Sequence, residues 1–200
     1  MIPAATLIPD HEIILGSRDD PERFGSIFDR HADTIHRYLA RRAGRALADD
    51  LTAETFLIAF RNRTRYDRAH PDALPWLYGI AANLLRGHQR TELRQYRALA
   101  RTGVDPATGC PADRVAARVT AADHVRALAA VLARLPVRER EVLTLISQAQ
   151  LSYPEVARAL DIPVGTVRSR LHSARQQIRR ALGDLPDLDL DLDLANGAEA

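Results

Sequence analysis

Residues 152–182, SYPEVARALDIPVGTVRSRLHSARQQIRRAL, decide how the chain is read. Ser152 and Glu155 stand at the S-x-x-E spacing of a capping box, which satisfies two backbone donors at a helix start. Val156, Ala157 and Leu160 give the short helix that follows one apolar face. Asp161, Ile162, Pro163 and Val164 make a turn, since Pro163 bars a continuous helix. A second helix begins near Gly165, where Val167, Leu171, Ala174 and Ile178 recur at helical spacing and face inward. Thr166, Arg168, Ser169, His172 and Ser173 project from the other sides of its first two turns, the part that a helix-turn-helix offers to base edges in the major groove. Arg170, Arg175, Arg179 and Arg180 are placed to reach phosphates. The competing reading is a basic amphipathic helix on a solvated face; the coincidence of cap, turn and charge favours DNA.

Composition agrees with a polyanionic partner. The 200 residues suit one or two small domains, and a 46% hydrophobic fraction is enough to build buried cores. Only 5% is aromatic, so those cores rest on Leu, Val, Ile and Ala. All 28 basic residues are arginine, the side chain suited to bidentate phosphate and guanine contacts, although that bias equally fits genome composition. The formal net charge of +2 hides an asymmetry: residues 183–200 hold six of the 26 acidic side chains and no basic one, which leaves residues 1–182 with 28 basic against 20 acidic, a net of +8. The single Cys110 excludes an internal disulfide and fits a reducing compartment. Neither a signal peptide nor a membrane-spanning run is visible, so a cytoplasmic protein with no membrane insertion is expected.

Upstream of the motif the chain reads as helices. Residues 1–19 lack a period and are expected to form a loose arm. Asp20 and Pro21 start a helix that runs to about Arg42, with Phe24, Ile27, Phe28, Ile35 and Leu39 on its buried side. His31 and His36 are five apart and share no face; with one cysteine and no H-E-x-x-H, no metal site and no cofactor are expected. Asp49 to Phe60, DDLTAETFLIAF, is a second helix with Phe56, Phe60 and Leu57 inward and Leu51 and Ile58 on another, partly exposed side. Its Asp49, Asp50 and Glu54 either cap the helix through its dipole or form an acidic docking face for another protein; the residues alone leave both open. The segment Arg61–Leu74 has no period and reads as a functional loop. Pro75 opens a third helix that continues to near Gly103, with Trp76, Leu77, Ile80, Leu84 and Leu85 buried and Arg86, Arg90, Arg94 and Arg97 forming a basic stripe. Trp76 is either a core anchor or, with Tyr78, a surface on which exposed bases stack. Residues 102–119 read as a flexible linker. A fourth helix, Thr120–Leu135, and a fifth, Val137–Gln148, precede the helix-turn-helix. The last stretch, 183–200, alternates Asp with Leu and reads either as a disordered tail or as an acidic mimic of DNA that folds back on the arginine-rich helix.

Three segments together resemble a family. DDLTAETFLIAF, YDRAHPDALPWLYGIAANLLRGHQR and the run from Leu135 to Arg175 are similar, in that order, to the core-binding helix, the promoter-melting segment and the second DNA-binding domain of bacterial RNA polymerase sigma factors of the extracytoplasmic-function group. The resemblance implies an all-α fold of two small helical domains joined by a flexible linker: a region 2-like domain over 20–100, a linker over 101–119 and a region 4-like domain over 120–182. It implies that Asp49, Asp50, Glu54 and Phe56 dock on the clamp of core polymerase. It implies that the loop with Tyr66, Asp67, Arg68 and His70 captures an unstacked base of the −10 element, Trp76, Asn83 and Arg86 taking part in melting. It further implies that the second domain sits on the flap and reads the −35 element, and that an anti-sigma protein is a further candidate partner. Ala53 departs from the glutamine common at that place, and Ser173 from a basic residue found in some members.

Two other functional classes fit the sequence less well. A helix-turn-helix regulator that is no sigma subunit would carry an N-terminal receiver domain with alternating strands, whereas residues 20–100 read as helices throughout. An enzyme would need a phosphate-binding loop, a nucleophile elbow or a paired catalytic set, and the sequence holds none.

Overall fold

Gly44 makes the first corner. It closes one helix and opens the next at φ +85°, a backbone conformation that a residue with a Cβ rarely adopts. The structure, a computed structural model, describes residues 8–102 and 115–182, the side chains of 115–122 and 182 excepted. Segment 103–114 with Cys110, and the Asp-Leu tail from 183 on, lie outside the described residues. All regular structure among the described residues is helical: α1 (Asp10–Gly16), α2 (Gly25–Ala43), α3 (Arg45–Asn62), α4 (Leu74–Gly87), α5 (Gln89–Thr102), α6 (Val115–Arg134), α7 (Val137–Ser147), α8 (Tyr153–Leu160) and α9 (Val164–Leu182). The all-α class and the two helical units stand as expected.

Several boundaries differ from the sequence reading, each for a physical reason. The arm expected over residues 1–19 contains α1, which is too short to show a period and is held by burial of Ile13 and Ile14 rather than by propensity. Pro21 opens a 3-10 turn, Pro21–Phe24, and the α-helix proper starts at Gly25. The second helix begins at Arg45, so Asp49 and Asp50 lie a turn inside it rather than at its positive end. The expected third helix is two helices. His88, at φ −108° and ψ 24°, donates to Leu85 O while its own carbonyl accepts from Thr91 and Glu92, ending α4 and starting α5 in one step. That break turns Glu92, Tyr96 and Leu99 inward. Residues 115–119, expected as linker, are already part of α6.

The helix-turn-helix matches its expected form. Ser152 N–H and Oγ both donate to Glu155 Oε2, each at 2.7 Å, and Asp161 turns the chain in the left-handed region at φ 52°. Val167, Leu171, Ala174 and Ile178 are all buried, as are Val142, Leu143 and Ile146 of α7. In the first unit the assignment of faces on α2 and α3 is corrected. Leu51 is buried, whereas Phe28 and Leu57 are 45% and 46% exposed.

The two units pack on one another. Glu92 of α5 is buried between Arg42 of α2 and Arg140 of α7, at 2.7 Å from Arg42 Nε and 3.1 Å from Arg140 Nη2. Gly79 of α4 lies directly on the backbone of α8: a Cβ there would stand 2.3 Å from Ala159 O. Gly79→Ala is therefore expected to force α4 and α8 apart, with a loss of about 1–3 kcal/mol in denaturant unfolding and a larger radius of gyration in solution scattering.

Candidate nucleic-acid interface

On α9 the buried stripe fixes which side chains can meet a ligand. Arg168, Ser169 and His172 are exposed on the opposite face; Thr166 and Arg170 are half-exposed. Ser169 Oγ donates to Thr166 O at 3.1 Å, and His172 Nε2 lies 3.2 Å from Gln176 Nε2. Two of the expected DNA contacts are placed differently. Ser173 Oγ donates to Glu139 Oε1 at 2.9 Å, beside Gln177 on Glu139 Oε2, so it joins α9 to α7 instead of pointing outward. Arg175 is half-buried, and its Nε and Nη2 are buried with no hydrogen-bond partner among the described residues.

A second feature is built by the loop that precedes α4. Tyr66 is buried, and its hydroxyl reaches His70 O at 2.8 Å and Asp72 O at 3.0 Å, closing the loop around its own ring. Burial, together with the carboxylates of Asp10, Asp72 and Asp67, raises the Tyr66 pKa, so the hydroxyl stays a donor. Asp67 Oδ1 accepts from the Ala69 N–H at 3.0 Å, and His70 Nε2 lies 3.5 Å from Asp67 Oδ2. Trp76 meets Tyr66 edge to face, with ring centroids 4.9 Å apart, and is only half-buried. It packs on the core and leaves a face toward a cleft of about 330 Å³. Tyr66, Asp67, His70 and Trp76 line that cleft, together with Arg65 and, from the other unit, Arg158 and Asp161, which the sequence reading missed because only the packing of α8 on α4 brings them there. Arg68 is exposed on the loop outside the lining. Asn83 and Arg86 lie elsewhere: Arg86 donates to Asn83 Oδ1 at 2.9 Å and to the buried Glu141 of α7 at 2.7 Å.

The third feature is the outer face of α3. Asp50 and Glu54 are exposed and form no ion pair among the described residues, whereas Asp49 is 2.9 Å from His36 Nε2 of α2. Phe56 is buried against Phe28 at a centroid distance of 4.9 Å, so the exposed apolar groups nearby are Phe28 and Leu57.

Asp10, His31 and Asp72 bring three possible metal-ligand atoms within 4.8 Å of one another. This group is not visible in the sequence, because its members are 21 and 41 residues apart. Both Asp10 oxygens accept from protein donors, however. Arg30 Nη1 is 3.0 Å from Oδ1; His31 Nε2 at 2.6 Å and the Ala73 N–H at 3.0 Å reach Oδ2. Both carboxylate oxygens are thus already engaged, one of them by a guanidinium. Among the described residues no helix is long and apolar enough to cross a membrane.

Comparison with known proteins points in one direction. The model of sigma-70 region 2 matches residues 27–95, and that of sigma-70 region 4 matches residues 126–186. The RNA polymerase sigma factor CarQ of Myxococcus xanthus is 34% identical over 82% of this chain and 91% of its own length. The extracytoplasmic-function sigma factor SigW of Bacillus subtilis is 30% identical over 84% of this chain and 93% of its own. BldN of Streptomyces coelicolor is 31% identical over 82% of this chain, which spans 62% of that longer protein. In fold, the chain is similar to CnrH solved with the cytosolic domain of CnrY, with a TM-score of 0.60 at 23% identity, covering 86% of this chain and 96% of that one. It is also similar to the sigma factor RpoE of Bartonella quintana solved with the anti-sigma factor NepR, with a TM-score of 0.54 at 18% identity over 80% and 96% of the two chains.

The Asp10 group has a pH signature. Burial pushes the Asp10 pKa up, but the bonds from His31, the Ala73 N–H and Arg30 outweigh it and hold it down to about 2. A carboxylate depressed in the folded state adds stability above its unfolded pKa of about 3.9 and loses it as pH falls toward the folded value. Asp10→Asn is expected to cost about 2 kcal/mol at pH 7. In urea unfolding the difference from the native chain should close as pH drops from about 4 toward 2.

Proposed function

The chain belongs to the extracytoplasmic-function group of the sigma-70 family, and from that premise we propose that it is the promoter-reading subunit of a bacterial RNA polymerase. It binds core polymerase, brings it to −35 and −10 elements and assists strand opening; it catalyses nothing itself and works in the cytoplasm beside the enzyme. One observation carries the division of labour: a single chain holds a helix-turn-helix with Arg168, Ser169 and His172 on an open face and, in a separate unit, an aromatic cleft lined by Tyr66 and Trp76. The first suits duplex read from the major groove. The second suits a single base, which has a ring face to stack wherever it comes from. A regulator built on a receiver domain would need strands, and the described residues carry none.

The face of α3 with Asp50 and Glu54, flanked by Phe28 and Leu57, fits the clamp of core polymerase, with the second unit on the flap. RpoE was solved with an anti-sigma factor, and the same exposed apolar and acidic face would suit such a protein in competition with polymerase. Because Arg158 and Asp161 of the second unit wall one side of the cleft, entry of a −10 strand requires α4 and α8 to part.

The purified protein added to core polymerase is expected to direct transcripts whose 5′ ends, once sequenced, share one pair of upstream elements; transcripts no different from those of core alone would refute the proposal. On that promoter, Arg168→Ala should cost about 1–3 kcal/mol on −35 duplex and relax the base preference at one position. Reversing Asp50 and Glu54 to arginine should weaken co-purification with core polymerase while the circular dichroism spectrum stays helical.

A further inference from the structure

Among the described residues of the first unit, Asp10 is the one carboxylate that is buried without lying in the contact between the two units. It sits at the first residue of α1, 63 residues before the group that it holds: the N–H of Ala73, at 3.0 Å. Ala73 is fully buried, so without Asp10 this donor would have no water to turn to. Ala73 is also the N-cap residue, immediately before the first residue of α4 and three positions before Trp76. The loop from Tyr66 to Asp72 is therefore closed twice. From inside, the Tyr66 hydroxyl gathers the carbonyls of His70 and Asp72. From outside, the Asp10 carboxylate grips the end of the loop, and Arg30 and His31 of α2 fix that carboxylate in turn. Asp72 Oδ1 adds a local bond, accepting from the Leu74 N–H at 2.8 Å.

We propose that Asp10 is a positioning residue for strand opening: through Ala73 it sets the start of α4, and so the angle at which Trp76 faces the cleft. A charge-assisted bond to a backbone N–H is suited to that task, being stronger than a neutral one and restricting the donor to a narrow direction. The inference rests on the reading of the cleft as the place where a −10 base is held.

Trp76 is the only tryptophan in the chain, so its fluorescence reports on this site alone. The test compares the native chain with Asp10→Asn, His31→Gln and Trp76→Ala, each full-length and assembled with core polymerase on the promoter found by transcript sequencing. Asp10→Asn is expected to make Trp76 more accessible to acrylamide in the free protein. It should slow permanganate-detected opening by about tenfold, the factor that one charged hydrogen bond carries. Binding of −35 duplex should remain within twofold of native, and His31→Gln should show the same pattern more weakly. If Trp76→Ala abolishes opening while Asp10→Asn leaves both quenching and opening native, the role of Asp10 is refuted and the cleft reading stands. If Trp76→Ala opens the promoter normally, the cleft reading itself fails. Loss of −35 binding in Asp10→Asn and His31→Gln alike would make the group a folding element and overturn its positioning role.

Discussion

The structure hangs on a buried carboxylate between two guanidinium groups. Glu92, Arg42 and Arg140 are each about 1% exposed or less, and a lone guanidinium at that depth would be too costly to desolvate. Burial works against the Arg42 proton, but the Tyr38 oxygen and the Glu92 carboxylate outweigh it, and Arg42 holds its proton more tightly than a free arginine. Arg140 meets Glu92 with one nitrogen and the carbonyls of Leu132 and Leu135 with another. The three residues come from α2, α5 and α7, so one small group joins both helical units and the end of α6. Such a group is demanding in geometry: both Glu92 oxygens are engaged by guanidinium groups, and Arg140 uses both of its terminal nitrogens.

That constraint shapes the two nucleic-acid features unequally. With α7 held against α5, α8 falls on α4, where only a glycine at position 79 leaves room for the backbone of Ala159. The face of α9 with Arg168, Ser169 and His172 stays exposed. The cleft at Trp76 does not: Arg158 and Asp161 form part of its wall. Arg86, for which the family resemblance implies a part in melting, is meanwhile bound to Glu141 of the second unit. The packed arrangement thus leaves the face of α9 with Arg168, Ser169 and His172 exposed and keeps the cleft at Trp76 partly covered.

Much of this was legible because it is local. The S-x-x-E box, Pro163 and the inward stripe Val167, Leu171, Ala174 and Ile178 are set by neighbours within a turn or two, and each appears as read. Faces were harder to assign where a helix is apolar on more than one side. On α3 the sequence alone could not tell Leu51, which is buried, from Leu57, which is not, since that depends on where α2 and α4 lie. The break at His88 was missed because nothing but Gly87 marks it, and what makes it worthwhile is the distant pair of arginines that receive Glu92.

The sequence by itself determined the helical class, the helix-turn-helix with its exposed arginine, serine and histidine, and the loop ahead of Trp76, all of them patterns of period, cap and turn. Only the tertiary structure decided which polar groups are spent inside: Ser173 on Glu139, Glu92 on two arginines, Asp10 on the backbone of Ala73. Those partners are 34 to 63 residues apart in the chain. A carboxylate's partner is chosen by proximity in space and by the cost of leaving it dry and alone, and neither is written in its neighbours along the sequence.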